Sequence, residues 1–122
     1  MVQAGTIMYV ADNSGAKRIR VITVLGDSRR RYARIGGLVS ASTIEATPGG
    51  GVKKKEIVHA LVLRTRKETR MDDGTYLRFS DNAAVILDEG KNIKGTRIFG
   101  PVPRMLKKFG FNKIVSLARE VV

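Results

Sequence analysis

The sequence predicts a small, mainly β domain arranged as an antiparallel barrel, and three observations support this fold class. Apolar and polar residues alternate with a period of two in several short segments. Turn-forming residues separate these segments. No segment of helical spacing lies between them, which argues against alternating βαβ units. Short strands spaced in this way are typical of small barrels.

The alternating segments give the predicted strands in order. They are residues 6–10, 18–25, 38–44, 57–65, 76–79 and 83–87. The turns that separate them are rich in glycine, proline, asparagine and aspartate, which supply the backbone conformations that turns need. These turns are residues 12–15, 36–37, 48–51, 73–74 and 89–90.

The tail of the chain changes period. From Pro103 onward the apolar residues recur at intervals of three or four, which predicts one or two short helices. Those residues are Met105, Leu106, Phe109, Ile114, Leu117 and Ala118. Pro101 and Pro103 mark the change, because proline cannot donate to a β ladder but can open a helix. We expect one domain over residues 1–122, with the barrel and its hairpins in 1–102 and a helical segment in 103–122.

Composition restricts the partners. The 23 lysines and arginines exceed the 11 acidic residues by 12, an excess that favours a polyanion, nucleic acid first. No apolar run reaches the roughly 18 residues of a membrane span, and the absence of tryptophan disfavours a membrane-surface helix, so we expect no membrane partner. The chain has no cysteine and one histidine, His59, which we expect to be a packed or hydrogen-bonded side chain and not a metal ligand.

Three motifs suggest a phosphate-binding or catalytic site, but the surrounding sequence of each argues against that function. The glycines and lysines of residues 46–56 lack the spacing of a phosphate-binding loop that opens a helix. Ser14 and Lys17 fit the Ser-x-x-Lys pattern of serine acyl-enzymes, but they lie in a turn between strands. The carboxylate pairs at residues 72–73 and 88–89 adjoin glycine and are typical of turns. We therefore expect no enzyme, no cofactor and no small-molecule substrate.

The basic residues form four clusters at strand ends and hairpins. A single basic cluster is equally consistent with a solvated face and with a binding surface. Four clusters without offsetting acidic residues indicate a polyanionic partner. We expect the 49–51 backbone to let a sugar-phosphate chain approach closely, and Tyr32 to stack on an unpaired base. The residues predicted to bind nucleic acid are Lys17, Arg18, Arg20, Arg29, Arg30, Arg31, Tyr32, Arg34, Lys53, Lys54, Lys55, Arg64, Arg66, Lys67 and Arg70.

From residues 10–16, VADNSGA, the chain resembles the universal large-subunit ribosomal protein fourteen family in its bacterial or organellar form. The family signature of a small residue, three aliphatics, Asp-Gly, an aromatic, asparagine and valine is met in order and spacing. It falls on residues 60–63, Asp73–Gly74, Phe79, Asn82 and Val85. Residues 46–50, 64–65, 95–102 and 113–118 also match, so the resemblance covers nearly the whole chain.

The resemblance implies a five-stranded barrel, a projecting β-ribbon and short C-terminal helices, seated on large-subunit rRNA at the intersubunit face. It also implies contacts with small-subunit rRNA, with neighbouring ribosomal proteins three and nineteen, and with the ribosome silencing factor. The location would be the ribosome of a bacterial cytoplasm or of a mitochondrial or plastid matrix. The residues expected on the intersubunit and silencing-factor face are Thr96, Arg97, Arg104, Lys107, Lys108 and Lys113.

The chain departs from the family pattern at Arg119, where proline is usual, and at Gly37, where aspartate is frequent. We expect Arg119 to lengthen the last helix. Two rival functions remain open on the residues alone. One is a free-standing barrel that binds single-stranded nucleic acid on aromatic platforms, although the chain has only seven phenylalanines and tyrosines. The other is a protein-interaction adaptor whose target docks the C-terminal segment.

Overall fold

The computed structural model describes residues 1–26, 31–89 and 92–122. The regular structure of the described residues consists of short strands and two short helices. In order they are β1 (Ile7–Val10), β2 (Ala16–Val24), β3 (Leu38–Ala46), β4 (Ile57–Arg64), β5 (Thr69–Arg70), β6 (Tyr76–Leu77), β7 (Ala83–Leu87), β8 (Pro101–Val102), a 3₁₀ helix (Arg104–Phe109), α1 (Asn112–Leu117) and β9 (Glu120–Val121). No helix in the part of the chain described here is long and apolar enough to cross a membrane.

Five strands close into a barrel in the order β1-β2-β3-β4-β7. The expected mainly β class, with a small five-stranded barrel and short helices, is confirmed. Four of the junctions are antiparallel, but β1 and β7 run parallel, with Tyr9 opposite Ala83 and Val10 opposite Ala84. A ring of five strands cannot reverse direction at every junction and still close, so an odd barrel must contain a parallel pair. The expectation of a wholly antiparallel barrel was wrong at this junction.

Two apolar clusters lie on opposite sides of the barrel wall. The first fills the interior with one face of each strand, for example Met8, Ile19, Val39 and Ile86. The second covers the outer faces of β4 and β7. Because these two strands are buried on both faces, residues 60–63 and 83–87 are continuous apolar runs and not alternating ones.

The C-terminal segment covers those outer faces. Leu106 of the 3₁₀ helix and Ile114 of α1 are fully buried in the second cluster, and the prediction of one or two short helices is confirmed. Residue 118 returns to extended backbone (ψ 141°), which lets β9 pair in parallel with β8. The last helix therefore ends at Leu117, and the expectation that Arg119 lengthens it was wrong.

A two-stranded ribbon, β5 with β6, forms a sheet separate from the barrel. Its turn is held by Asp73, whose Oδ1 accepts hydrogen bonds from the N–H and the hydroxyl of Thr75 (3.0 and 2.6 Å). The ribbon implied by the family resemblance is present. The strand predicted at 76–79 is shorter than expected, and the alternating pattern did not reveal β5.

Candidate nucleic-acid interface

The outer face of β2 carries the first basic cluster. Inward residues such as Ile19 and Val21 alternate with exposed Arg20. The pairing of β2 with β3 is irregular between residues 16 and 19, so Lys17 and Arg18 both reach the surface although they are neighbours. Arg18 Nε donates to Glu45 Oε2 (2.6 Å), which compensates one charge of the cluster. Lys17 and Arg20 remain as exposed cations on this face.

Tyr9 lies directly across from Arg18 in the β1–β2 ladder. Its neighbour Met8 points into the core, so the Tyr9 ring faces outward and is 58% exposed. This places an aromatic ring among the predicted cations, and sequence reasoning missed it. The two-residue alternation of β1 contained the signal, since a buried residue 8 requires outward residues 7 and 9.

The loop between β3 and β4 carries the three lysines at 53–55, all exposed. Buried Val52 anchors the loop, and Glu56 Oε2 accepts a hydrogen bond from the Lys53 N–H (3.2 Å). Lys55 has φ 72°, a left-handed conformation that is unusual for a residue with a side chain. The anchored loop thus presents its three ammonium groups to solvent.

Some glycines of this loop also pack against the turn at residues 12–15. A Cβ at Gly15 would lie 2.9 Å from the Gly51 nitrogen, and a Cβ at Gly50 would lie 2.9 Å from the Gly15 Cα. Thr47 N–H also donates to the Gly15 carbonyl (2.7 Å). Gly50 and Gly51 are therefore needed for packing against the 12–15 turn, and among the three only Gly49 has open space where a side chain would project.

The basic cluster at residues 31–34 is joined to the first residues of the chain. Val2 and Ala33 exchange two backbone hydrogen bonds (2.9 and 2.7 Å), which fixes the exposed side chains of Arg31, Tyr32 and Arg34 beside this segment. Burial, Lys67 and Arg34 together lower the pKa of the Met1 amine below 8.0. The structure thus gathers cations that are distant in sequence. Arg29 and Arg30, predicted for the same cluster, lie outside the described residues.

Arg64 does not have the exposed position that the sequence prediction required. It is 7% exposed, and its guanidinium donates to both carboxylate oxygens of Asp81 (3.0 and 3.2 Å) and to the carbonyls of Phe99 and Pro101 (2.9 and 3.0 Å). A Cβ at Gly100 would lie 2.6 Å from the Arg64 Nη1. Arg64 therefore joins β4 to the 99–101 segment and is withdrawn from the proposed interface.

Arg66, Lys67 and Arg70 are exposed, on and before the ribbon. Arg70 lines a cavity of about 380 Å³ together with Arg104 and Lys108 of the 3₁₀ helix. Lys108 also pairs with Asp72 of the ribbon turn. The structure therefore brings together residues that were predicted for two different faces, because the ribbon lies against the helix.

Thr96 and Arg97 are exposed and are positioned by Asn13 of the 12–15 turn. Asn13 Oδ1 accepts from the N–H groups of Thr96 and Arg97 (2.8 and 3.1 Å), and its Nδ2 donates to Thr96 Oγ1 (2.9 Å). A Cβ at Gly95 would lie 2.8 Å from Asn13 Oδ1, so glycine permits this approach. Asn13 was not predicted as a functional residue, and contacts between segments this distant leave no periodic signal.

The remaining residues of the predicted intersubunit face are more scattered. Thr96 and Arg97 line a cavity of about 550 Å³ with Phe99 and Arg119. Lys107 and Lys113 are exposed on the two helices. The face is therefore a set of exposed groups around one Asn13-held segment and not a single compact patch.

The residues considered for chemistry take structural positions. Ser14 is buried, and its hydroxyl donates to Asp12 Oδ1 (2.6 Å), while Asp12 Oδ2 accepts from the Ile86 N–H (2.8 Å). Asp88 Oδ1 accepts from the Asn92 N–H (3.0 Å), as expected for a turn. His59, expected to be packed or hydrogen-bonded, is exposed, so it is not a packed side chain.

A family model described as Ribosomal protein L14p/L23e matches residues 1–122. This match confirms the resemblance seen in residues 10–16 and in the segments that follow. The family is a structural, non-enzymatic component of the large ribosomal subunit, where rRNA and other ribosomal proteins are its partners. A barrel with exposed cationic loops agrees with that role. The chain belongs to the ribosomal protein L14p/L23e family.

Proposed function

We propose that this protein binds large-subunit rRNA through the exposed cations of β2, of the 31–34 segment, of the 53–55 loop and of the 66–70 segment. The strongest support for this proposal is that, among the described residues, most of these positive charges have no acidic partner. Among the described residues, the ion pairs engage Arg18, Arg64 and Lys108. Lys17, Arg20 and the loop lysines take part in none of them.

Unpaired surface cations at this density repel one another, and a polyanion relieves the repulsion. Arginine can bind phosphate through two parallel hydrogen bonds, and lysine adds a mobile point charge. Contacts of this kind fix the protein on the RNA backbone without reading its sequence. The barrel wall formed by β4 and β7 is covered by the C-terminal segment, so the cationic elements lie on the parts of the surface that stay open.

We further propose that Thr96 and Arg97, held by Asn13, contact small-subunit rRNA across the interface and form the docking surface for the ribosome silencing factor. Arg104, Lys107, Lys108 and Lys113 extend this face. Ribosomal proteins three and nineteen would be neighbours, in a bacterial or organellar ribosome, and residues 1–122 would act as one domain. The support is the family membership together with the fixed, exposed geometry of the Thr96–Arg97 segment.

The loop provides the sharpest test of rRNA binding. We would combine Lys53→Ala, Lys54→Ala and Lys55→Gly, choosing glycine at 55 because its φ of 72° disfavours a side chain. Each lost phosphate contact lowers the slope of log K against log salt by roughly 0.7–0.9, so we expect a fall of about 2 with isolated large-subunit rRNA. A control with Lys107→Ala, Lys113→Ala and Arg119→Ala removes the same charge elsewhere. Equal effects in both variants would show that net charge alone acts, and an unchanged slope would remove the loop from the interface.

The intersubunit face is tested by Thr96→Ala with Arg97→Ala. Incorporation into large subunits should persist, whereas subunit joining or capture of the silencing factor should weaken. Failure of incorporation would mean that this face contacts the large subunit instead. An adaptor function would be favoured if partner binding survived ribonuclease and high salt.

A further inference from the structure

Phe109 is an aromatic residue of the C-terminal helical segment, and it is 51% exposed. Its ring lies on the backbone of Gly36, so close that a Cβ at residue 36 would be 2.6 Å from Cδ2 of the ring. Gly36 has φ 87°, so both its backbone conformation and the lack of space for a Cβ favour glycine at this position. One side of the ring is thus packed against backbone, and about half of the side chain stays open.

A cavity of about 600 Å³ lies beside this ring. Its lining includes Met1, Arg31, Tyr32, Arg34 and Phe109. The two aromatic residues come from segments far apart in the sequence, and Tyr32 is 44% exposed. The volume is in the range of pockets that hold small organic groups, roughly 300–1,000 Å³.

The charge around the cavity has one sign. Arg31 and Arg34 both line it, and the described residues of the lining include no aspartate or glutamate. Burial, followed by the positive potential of Lys67 and Arg34, lowers the pKa of the Met1 amine, which agrees with a positive potential at this end of the cavity. An anionic group would lower the electrostatic energy here.

Exposed rings beside arginines that form no ion pair with the described residues match the chemistry of an unpaired nucleotide, because the base of any nucleotide has a π-face that stacks on an aromatic ring and its phosphate pairs with cations. We propose that this cavity receives one unpaired nucleotide of rRNA, with its base against Phe109 and Tyr32 and its phosphate against Arg31 and Arg34. The proposal rests on the proposed rRNA binding and goes beyond it by naming a base-stacking site. A protein segment would be the other occupant of an aromatic cavity, but the surplus of positive charge favours RNA.

The test uses the full chain and a single-stranded RNA nonamer whose central residue carries 2-aminopurine and whose other eight residues are abasic. A second nonamer is abasic at all nine positions. We expect protein binding to quench the 2-aminopurine fluorescence, and the abasic RNA to bind at least about fivefold more weakly. Phe109→Leu, which keeps an apolar group on Gly36, should lose about the same factor for the base-containing RNA but nothing for the abasic one, with the salt slope unchanged.

Three further variants make the result specific. Phe109→Tyr should retain affinity, and Tyr32→Leu should behave as Phe109→Leu. Phe99→Leu removes another exposed phenylalanine, which lines a different cavity, and should have no effect. If both RNAs bind equally well with the usual salt dependence, the nucleotide site is overturned while rRNA binding stands. If neither RNA nor rRNA binds in dilute buffer, both proposals fail.

Discussion

Asn13 holds Thr96 by a reciprocal pair of hydrogen bonds: its Nδ2 donates to Thr96 Oγ1 at 2.9 Å, and its Oδ1 accepts from the Thr96 N–H at 2.8 Å. Nearby, Phe99 N–H donates to the Ala11 carbonyl (2.7 Å), so the 11–13 and 96–99 segments are joined at several points. The turn after β1 therefore determines where Thr96 and Arg97 project.

Asn13→Ala should loosen that segment without unfolding the barrel. Loss of its hydrogen bonds costs about 1–2 kcal/mol locally, so amide exchange at Thr96 and Arg97 should accelerate roughly tenfold. Hydrogen exchange followed by NMR measures this. Asn92→Ala is the control, since the structure gives Asn92 a backbone hydrogen bond to Asp88 and none to this segment. Unchanged exchange in Asn13→Ala would show that Asn13 is not what orders the two residues.

Arg64→Lys should destabilise the protein by about 3 kcal/mol. Lysine cannot reproduce the fork that binds both Asp81 oxygens and two carbonyls, and it leaves part-buried acceptors without a donor. Denaturant unfolding measures the loss. Arg66→Lys, at an exposed position, should change stability by less than about 0.5 kcal/mol. If the two variants were equally stable, Arg64 would not be the structural link between β4 and the 99–101 segment.

Two buried threonines make a matched pair. Thr43 is 1% exposed and its Oγ1 has no hydrogen-bond partner among the described residues, whereas Thr65 is 0% exposed and its Oγ1 donates to the Lys67 carbonyl at 2.9 Å. Thr43→Val should be neutral or stabilising by up to about 1 kcal/mol, because it removes an unpaired hydroxyl. Thr65→Val should destabilise by about 1 kcal/mol. Thermal unfolding measures the stability of both variants. A Thr43→Val variant less stable than Thr65→Val would contradict the assignment of Thr43 as the threonine with the unpaired hydroxyl.

The ribbon turn should depend on pH through Asp73. The side-chain and backbone hydrogen bonds from Thr75 lower the pKa of Asp73 below 3.8. A depressed carboxyl pKa means that its stabilising contribution is complete above the unfolded value and is lost as the pH falls through the folded value. An NMR titration of the Asp73 carboxyl should have its midpoint below 3.8, and Thr75→Val should move it upward. A midpoint unaffected by Thr75→Val would remove the hydrogen bonds as the cause.

The sequence predicted features that depend on local periodicity. The strand at 83–87 was predicted with the bounds that the structure has, and the one or two short helices expected after Pro103 are present at Arg104–Phe109 and Asn112–Leu117. Features that depend on distant partners were missed. Arg64 was counted as a surface cation because its acceptors lie in other segments. Helical spacing also cannot show that the Phe109 ring rests on Gly36, a residue far away in the sequence.

The parallel contact between Tyr9 and Ala83 has a consequence for biosynthesis. The barrel cannot close until the ribosome has delivered about two thirds of the chain, because β7 begins at residue 83 of 122. The early strands therefore wait with unsatisfied main-chain groups. A message that stops translation before codon 83 would yield an open sheet prone to aggregation and not a smaller working product. Translation through β7 is thus a condition for a closed barrel.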